Sequence, residues 1–311
     1  MKNIISGLFL ALSIAVVLCS TPTSVSAKGV TAQDLGRKKV IHYTKAKVKK
    51  RYRAYSPRLA RLAALRSSAV LVFDPITRQT LFQKRANSVM PIASVTKLMT
   101  ALVVVGSAQD INEELVVTEA DVDRLKYSSS RLRVGTRLTR AAMLHIALMS
   151  SENRAASALG RNYPGGTGRF VQAMNAKARA LGMSNTRFVE PTGLSSANVS
   201  TPEDLAKLVI AAQQQPLIRM YSTDPDHTIS QGNRATVYRN SNRLISSETW
   251  DIGLQKTGYI LEAGRCMVLH AVIKGRAVVM VFLDAHGKFS RAADAYRVRS
   301  WLIGGRSSAQ P

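Results

Sequence analysis

Pro91-Ile92-Ala93-Ser94-Val95-Thr96-Lys97-Leu98-Met99-Thr100 contains the only Ser-x-x-Lys of this 311-residue chain. The apolar positions that follow, Leu98, Met99, Ala101, Leu102 and Val105, recur at helical spacing and stop at Gly106, a C-terminal cap. The pattern predicts that Ser94 opens a buried helix, with Lys97 one turn on and on the same face. A hydroxyl is a poor nucleophile until its proton is removed. A lysine held in a dry site beside other cations is neutral enough to remove it. The free N–H groups of a helix start supply a place for an oxyanion. The competing reading makes Ser94 a simple helix cap and Lys97 a solvated side chain, and the rest of the chain decides between the two.

Lys256-Thr257-Gly258 is the only Lys-Thr-Gly. It precedes two strand-like runs, Cys266 to Ile273 and Ala277 to Leu283, joined at Lys274-Gly275. Such a strand beside the nucleophile offers a carboxylate a cation and a hydroxyl, and its glycine lets a ligand backbone come close. Ser-x-Asn occurs twice, as Ser151-Glu152-Asn153 and Ser196-Ala197-Asn198. The first separates the apolar segment Met143 to Met149 from the helical run Ala155 to Leu159, a junction that can aim polar side chains into a cleft. The second follows the turn-rich Pro191-Thr192-Gly193-Leu194 and reads as loop.

The ordered set Ser-x-x-Lys, Ser-x-Asn, Lys-Thr-Gly is that of penicillin-binding proteins and class A β-lactamases. From about Ser67 to Ile303 the chain resembles the low-molecular-mass penicillin-binding proteins, serine-type D-alanyl-D-alanine peptidases, and most of all their D-alanyl-D-alanine endopeptidase branch. The likeness extends through Leu148 to Ala156, Ala176 to Gly182, Arg187 to Leu194 and Gln255 to Tyr259. It implies that Ser94 is acylated, that Lys97 accepts its proton, and that Ser151 passes a proton to the leaving amine. Asn153 would position the substrate amide, and Lys256 of the Lys256-Thr257-Gly258 strand would bind the carboxylate end. The backbone N–H groups of Ser94 and Tyr259 would form the oxyanion hole. Lys256 beside Lys97 is expected to lower the Lys97 pKa by like-charge repulsion.

The resemblance leaves rivals. A class A β-lactamase needs a carboxylate base in a Glu-x-x-Leu-Asn setting, whereas this chain has Glu190-Pro191-Thr192-Gly193-Leu194. A carboxypeptidase, removing terminal D-Ala, differs from an endopeptidase in no residue type or spacing found here. A non-catalytic peptidoglycan-binding protein would not need the full set of motif side chains.

The first 27 residues read as a secretory signal: Lys2, the apolar run Ile4 to Leu18, then Val25-Ser26-Ala27 as cleavage site. Its removal takes Cys19 and leaves Cys266, expected to be a buried inert thiol, as the only cysteine. The formal net charge is +25, and residues 28–66 hold thirteen basic residues against one acid, Asp34. In an exported chain that segment reads as a basic flexible arm attracted to anionic envelope surfaces rather than to nucleic acid. The expected setting is the periplasm, soluble or loosely peripheral. The expected partners are peptidoglycan stem peptides and cross-links, with β-lactams as inhibitors. Residues 67–305 form the catalytic domain, and 306–311 a tail.

No cofactor or metal is expected. His42, His145, His227, His270 and His286 lack ligand spacing, and there is no Gly-x-Ser-x-Gly elbow and no phosphate loop. Strand patterns lie at both ends, Ser68 to Phe73 and Thr80 to Phe82 near the start, with helical patterns between, including one opened by Thr201-Pro202. The fold class is therefore α+β, sandwich-like: an antiparallel sheet from N- and C-terminal segments, flanked by helices, with a helical inserted subdomain. The cleft should lie between sheet and insert, as in the fold shared by DD-peptidases and β-lactamases.

Overall fold

A computed structural model of the chain describes residues 62–231 and 234–304. The signal, the arm up to residue 61 and the tail lie outside the described residues. In chain order the elements are β1 Ser67–Asp74, β2 Gln79–Lys84, β3 Met90–Pro91, α1 Thr96–Val105, β4 Glu114–Val116, β5 Arg137–Thr139, α2 Arg140–Met149, α3 Asn153–Arg161 and α4 Gly166–Ala180. They continue with β6 Val199–Ser200, α5 Pro202–Gln213, α6 Pro216–Thr223, β7 Asp226–Gln231, β8 Arg234–Arg239, β9 Asp251–Ile260, β10 Gly264–Ile273, β11 Arg276–Ala285 and α7 Ser290–Ile303.

The main sheet has the order β2-β1-β11-β10-β9 and is antiparallel throughout. Its central strands are nearly continuous apolar runs because both faces are covered. Ala69, Leu71, Val279, Val281 and Val268 face the helical side with α1, α2 and α5. Val70, Val72, Val278, Met280, Phe282 and Leu269 face Ala295, Val298 and Trp301 of α7. This period of two fixes the register, since a slip of one residue would exchange the two cores. Lys274 and Gly275, at φ +50° and +75°, make the two-residue turn between β10 and β11.

The two ends of the domain are tied by one carboxylate. Asp294 accepts from Ser67 N (2.8 Å), Ser67 Oγ (2.7 Å), Arg66 N (3.1 Å) and Arg297 Nη1 (2.9 Å). Leu62 and Leu65, read from sequence as the end of the basic arm, are buried in the core under α7. Apolar side chains at that spacing outweigh the positive charges around them, so packed structure begins at least five residues earlier than expected.

The insert is not wholly helical. β7 and β8 form a hairpin that no sequence pattern singled out. Its strands, Asp226-His-Thr-Ile-Ser-Gln231 and Arg234-Ala-Thr-Val-Tyr-Arg239, are polar and carry few apolar alternations. Ile229 and Tyr238 are nonetheless buried against the helical core. Among the described residues no helix is long and apolar enough to cross a membrane.

Candidate active site

Ser94 does not open the α-helix itself. It sits in a 3-10 turn, Ala93–Val95, from which α1 continues at Thr96. The tighter turn leaves Ser94 half-buried between buried neighbours. Every residue of α1 from Thr96 to Val104 is buried, so Ser94 stands at the start of a helix enclosed on all sides. Ala93 is held at φ +47°, a left-handed conformation that costs about 1–3 kcal/mol in a residue with a side chain. Its carbonyl is clamped by Thr96 Oγ1 at 2.8 Å. Beneath it, Gly193 is indispensable: at φ +84°, a Cβ there would lie 2.0 Å from Ala93 O.

Lys97 Nζ donates to Ser94 Oγ (2.9 Å), Asn153 Oδ1 (2.8 Å) and Thr192 O (2.6 Å). Burial pushes its pKa down to about 8, against the opposing pull of Glu190, Glu152 and Asp123. Repulsion from Lys256 is not among the causes of that shift, so dehydration replaces the charge repulsion expected from sequence. The repulsion is felt at the other partner. Lys256 is pushed well below the ordinary lysine range by burial first, then by Lys97 and Arg291.

Ser151 lies between α2 and α3 at φ +65°. Its Oγ accepts from Lys256 Nζ at 2.9 Å, and Lys256 also donates to Thr257 O at 2.8 Å. Glu152, the middle residue of the motif, caps α3 and accepts from Ser130 Oγ at 2.7 Å. Asn153 therefore starts α3 with its amide aimed at Lys97, while its Nδ2 donates to Ser128 Oγ at 2.9 Å. One of its two N–H bonds remains for a substrate carbonyl.

Lys256, Thr257, Gly258 and Tyr259 lie on β9, the edge strand of the main sheet. A Cβ on Gly258 would stand 2.9 Å from Ser94 N and 3.0 Å from Ala93 Cβ, so only glycine lets the strand pass the nucleophile turn. Thr257 Oγ1 donates to Ser241 Oγ at 2.8 Å. Arg291, on α7, donates to Gly258 O (2.9 Å) and Cys266 O (3.2 Å). A trans peptide points its C=O and the next N–H in opposite directions, so holding Gly258 O also aims Tyr259 N–H. The cleft between β9 and the insert is about 460 Å³ and is lined by Ser94, Ser151, Asn153, Thr257, Tyr259 and Arg291 among others.

All eight residues singled out from sequence thus meet at one cleft or support its floor. Sequence reading missed the parts played by Thr192 O, Ser128, Ser241 and Arg291, which arrive from loops and a distant helix. Asn198 of the rejected Ser-x-Asn is buried, donating to Thr96 Oγ1 (3.1 Å) and Glu190 Oε1 (2.9 Å). Glu190 is committed to its own loop, accepting from Thr192 N (2.6 Å), Gly193 N (2.7 Å) and Ser195 N (3.3 Å). A carboxylate engaged in this way organises the turn under Ser94. Cys266 is buried, and burial pushes its thiol up to about 12, the inert thiol expected. His145 packs between Tyr221 and His227, with Nε2 2.7 Å from Asp224 Oδ2.

The assembled serine, two lysines, hydroxyls and oxyanion donors can form and break an acyl-serine bond. Comparisons with known proteins agree. Residues 56–287 match the family described as D-alanyl-D-alanine carboxypeptidase. The chain is 48% identical over 249 residues to the D-alanyl-D-alanine endopeptidase of Pseudomonas aeruginosa, covering 79% of this chain and 80% of that one. It is 44% identical over 247 residues to the D-alanyl-D-alanine endopeptidase of Escherichia coli K12, covering 79% and 80%. Among solved structures it is similar to the Streptomyces K15 DD-transpeptidase, with TM-score 0.71, 27% identity, and 77% and 98% of the two chains covered. With fold, motif geometry and sequence pointing one way, the chain belongs to the D-alanyl-D-alanine carboxypeptidase family of serine peptidases.

Proposed function

We propose that this protein is a D-alanyl-D-alanine endopeptidase that opens D-Ala–diaminopimelate cross-links in peptidoglycan through a Ser94 acyl-enzyme. The observation that carries the reading is the 2.9 Å contact between Lys97 Nζ and Ser94 Oγ in a buried, dehydrated setting. As the neutral amine, Lys97 takes the hydroxyl proton while Ser94 attacks the carbonyl of D-Ala. The oxyanion meets the N–H groups of Ser94 and Tyr259, and Asn153 Nδ2 holds the amide of the acyl donor. Ser151, bonded to Lys256, delivers a proton to the departing amine. Thr257 and Arg291 face the carboxylate of the leaving residue. Water then releases the acyl group.

The endopeptidase activity is favoured over removal of terminal D-Ala by the names of the two relatives at 48% and 44% identity. The carboxypeptidase reading stands second, on the family description. A β-lactamase is disfavoured because Glu190 is held by its own loop. Export to the periplasm rests on the N-terminal signal pattern, and attraction of the 28–66 segment to anionic envelope surfaces rests on its charge.

The test is intact-mass analysis of residues 28–311 and of the Ser94→Ala form after penicillin, followed by digestion of cross-linked muropeptides. A one-to-one adduct absent from Ser94→Ala, with cross-linked dimers cut to monomers, is the expected result. Unmodified protein beside intact penicillin would make the chain a non-catalytic binder. Unmodified protein beside hydrolysed penicillin would make it a lactamase.

A further inference from the structure

Lys126 and Glu262 form an ion pair between the two walls of the cleft. Lys126 belongs to the insert loop that also carries Ser128, the partner of Asn153, and it lines the cleft together with Leu261. Glu262 sits in the 3-10 turn Leu261–Ala263 that ends β9. The two side chains keep 30% and 41% of their surface exposed. An exposed pair of this kind contributes little to stability, so a ligand carrying both charges exchanges it at little cost. Large apolar side chains line the same mouth and are left open to solvent: Leu261 at 84% and Tyr259 at 53%.

The position of the pair along β9 says which part of a substrate reaches it. Gly258 lies against Ser94, and Thr257 and Lys256 precede it toward Ser151. Glu262 is on the other side, two strand residues and two 3-10 residues beyond Gly258, a rise of about 10 Å. With the leaving carboxylate at the Thr257 end, the acyl donor runs toward Glu262. From the attacked carbonyl carbon, one peptide unit and a four-carbon side chain also span about 10 Å. In a diaminopimelate stem, that side chain ends in one carbon bearing both an ammonium and a carboxylate.

We infer that Lys126 and Glu262 form a recognition site for the zwitterionic end of the diaminopimelate residue that precedes the scissile D-Ala, Glu262 taking the ammonium and Lys126 the carboxylate. The inference rests on the peptidase reading above and names its donor specificity. On binding, one protein–protein ion pair is replaced by two protein–ligand pairs across the cleft. The aliphatic part of the side chain lies on Leu261 and Tyr259. A lysine stem, which lacks the carboxylate, satisfies only Glu262.

The test uses stem pentapeptides L-Ala-γ-D-Glu-X-D-Ala-D-Ala, with X meso-diaminopimelate, its side-chain carboxamide, or L-lysine. Affinity for the full mature chain carrying Ser94→Ala is measured by calorimetry, which needs no turnover. The expected result is at least tenfold tighter binding of the diaminopimelate peptide than of the other two. That preference falls roughly tenfold in Lys126→Met, whereas Glu262→Gln weakens all three peptides alike, because each carries the ammonium. The double variant Lys126→Glu/Glu262→Lys keeps a cross-cleft ion pair but exchanges the charges, and it should lose the preference too. Equal affinity for the three peptides, or a preference that survives in the exchanged pair, overturns the inference and leaves a structural staple. Penicillin acylation of the unmodified chain reports separately on the parent reading: its failure removes the peptidase mechanism, while the binding comparison still decides the subsite.

Discussion

Gly258 and Ser94 are in such close approach that a β-carbon on the glycine would stand 2.9 Å from the serine's amide nitrogen. The strand carrying one proposed oxyanion donor and the turn carrying the other are thus spaced by the absence of a side chain. Gly258→Ala must push β9 and the 3-10 turn apart by a few tenths of an ångström or more. Because the displaced group is the Tyr259 peptide, penicillin acylation should slow by about 10²-fold, the cost of losing one oxyanion donor. The fold should persist, since the sheet pairs β9 through β10 on its other side. Stopped-flow acylation beside circular dichroism checks this; unchanged acylation would mean the contact does not set the hole.

Lys97 supplies a pH signature. Its folded-state pKa of about 8 lies below the unfolded value of 10.5. With the neutral amine as the proposed base, acylation should rise with pH and level off above about 8. Stability carries the same sign. The unfolded chain binds the extra proton between pH 8 and 10.5, so the lysine's contribution to folding free energy grows across that window and is lost as pH falls through 8. Lys97→Met should remove that segment of the pH–stability curve and lower acylation by 10²- to 10⁴-fold. A flat acylation profile from pH 6 to 9 would remove Lys97 as the base.

The sequence made the chemistry of the site legible and left its scaffolding hidden, for a physical reason. Ser94 and Lys97 are three residues apart on one turn, and Ser151 and Asn153 flank one helix start, so local spacing announces them. The groups that hold Lys97 come from 56 and 95 residues away, and a backbone carbonyl such as Thr192 O has no residue type by which to recognise it. The sheet was legible because its apolar patterns are long. The β7–β8 hairpin was not, because its polar strands bury only single side chains. The source of the Lys97 shift was misassigned because sequence suggests which charges meet but not how much water they lose.

Asp294 tests stability apart from chemistry. Its buried carboxylate takes four hydrogen bonds, three of which join α7 to the start of β1. Asp294→Ala leaves the Ser67 amide and hydroxyl without an acceptor and should cost about 3 kcal/mol. For a domain of this size that is a drop in Tm of roughly 6–12 °C. Acylation per folded molecule should stay within about twofold. Calorimetry and active-site titration on the same sample separate the two effects.

Arg291 reaches the cleft from α7, 33 residues beyond Gly258, whose carbonyl it holds at 2.9 Å. Burial, then the nearby Arg265, lower its pKa to about 10, so it stays charged at neutral pH. Two losses follow when it is removed. The Gly258–Tyr259 peptide is free to rotate, which weakens the oxyanion donor, and the cleft loses a cation on the side where a carboxylate leaves. The first affects every acyl donor, the second only those with a carboxylate. Arg291→Gln retains N–H donors on a side chain two bonds shorter, whereas Arg291→Leu retains none. A thiolester donor without the carboxylate should therefore acylate Arg291→Gln faster than Arg291→Leu, the latter at least tenfold more slowly than the unmodified chain. A penicillin, which carries the carboxylate, should be slowed by both. Equal behaviour of the two variants toward both donors would confine Arg291 to charge alone and sever the link from α7 to the oxyanion peptide.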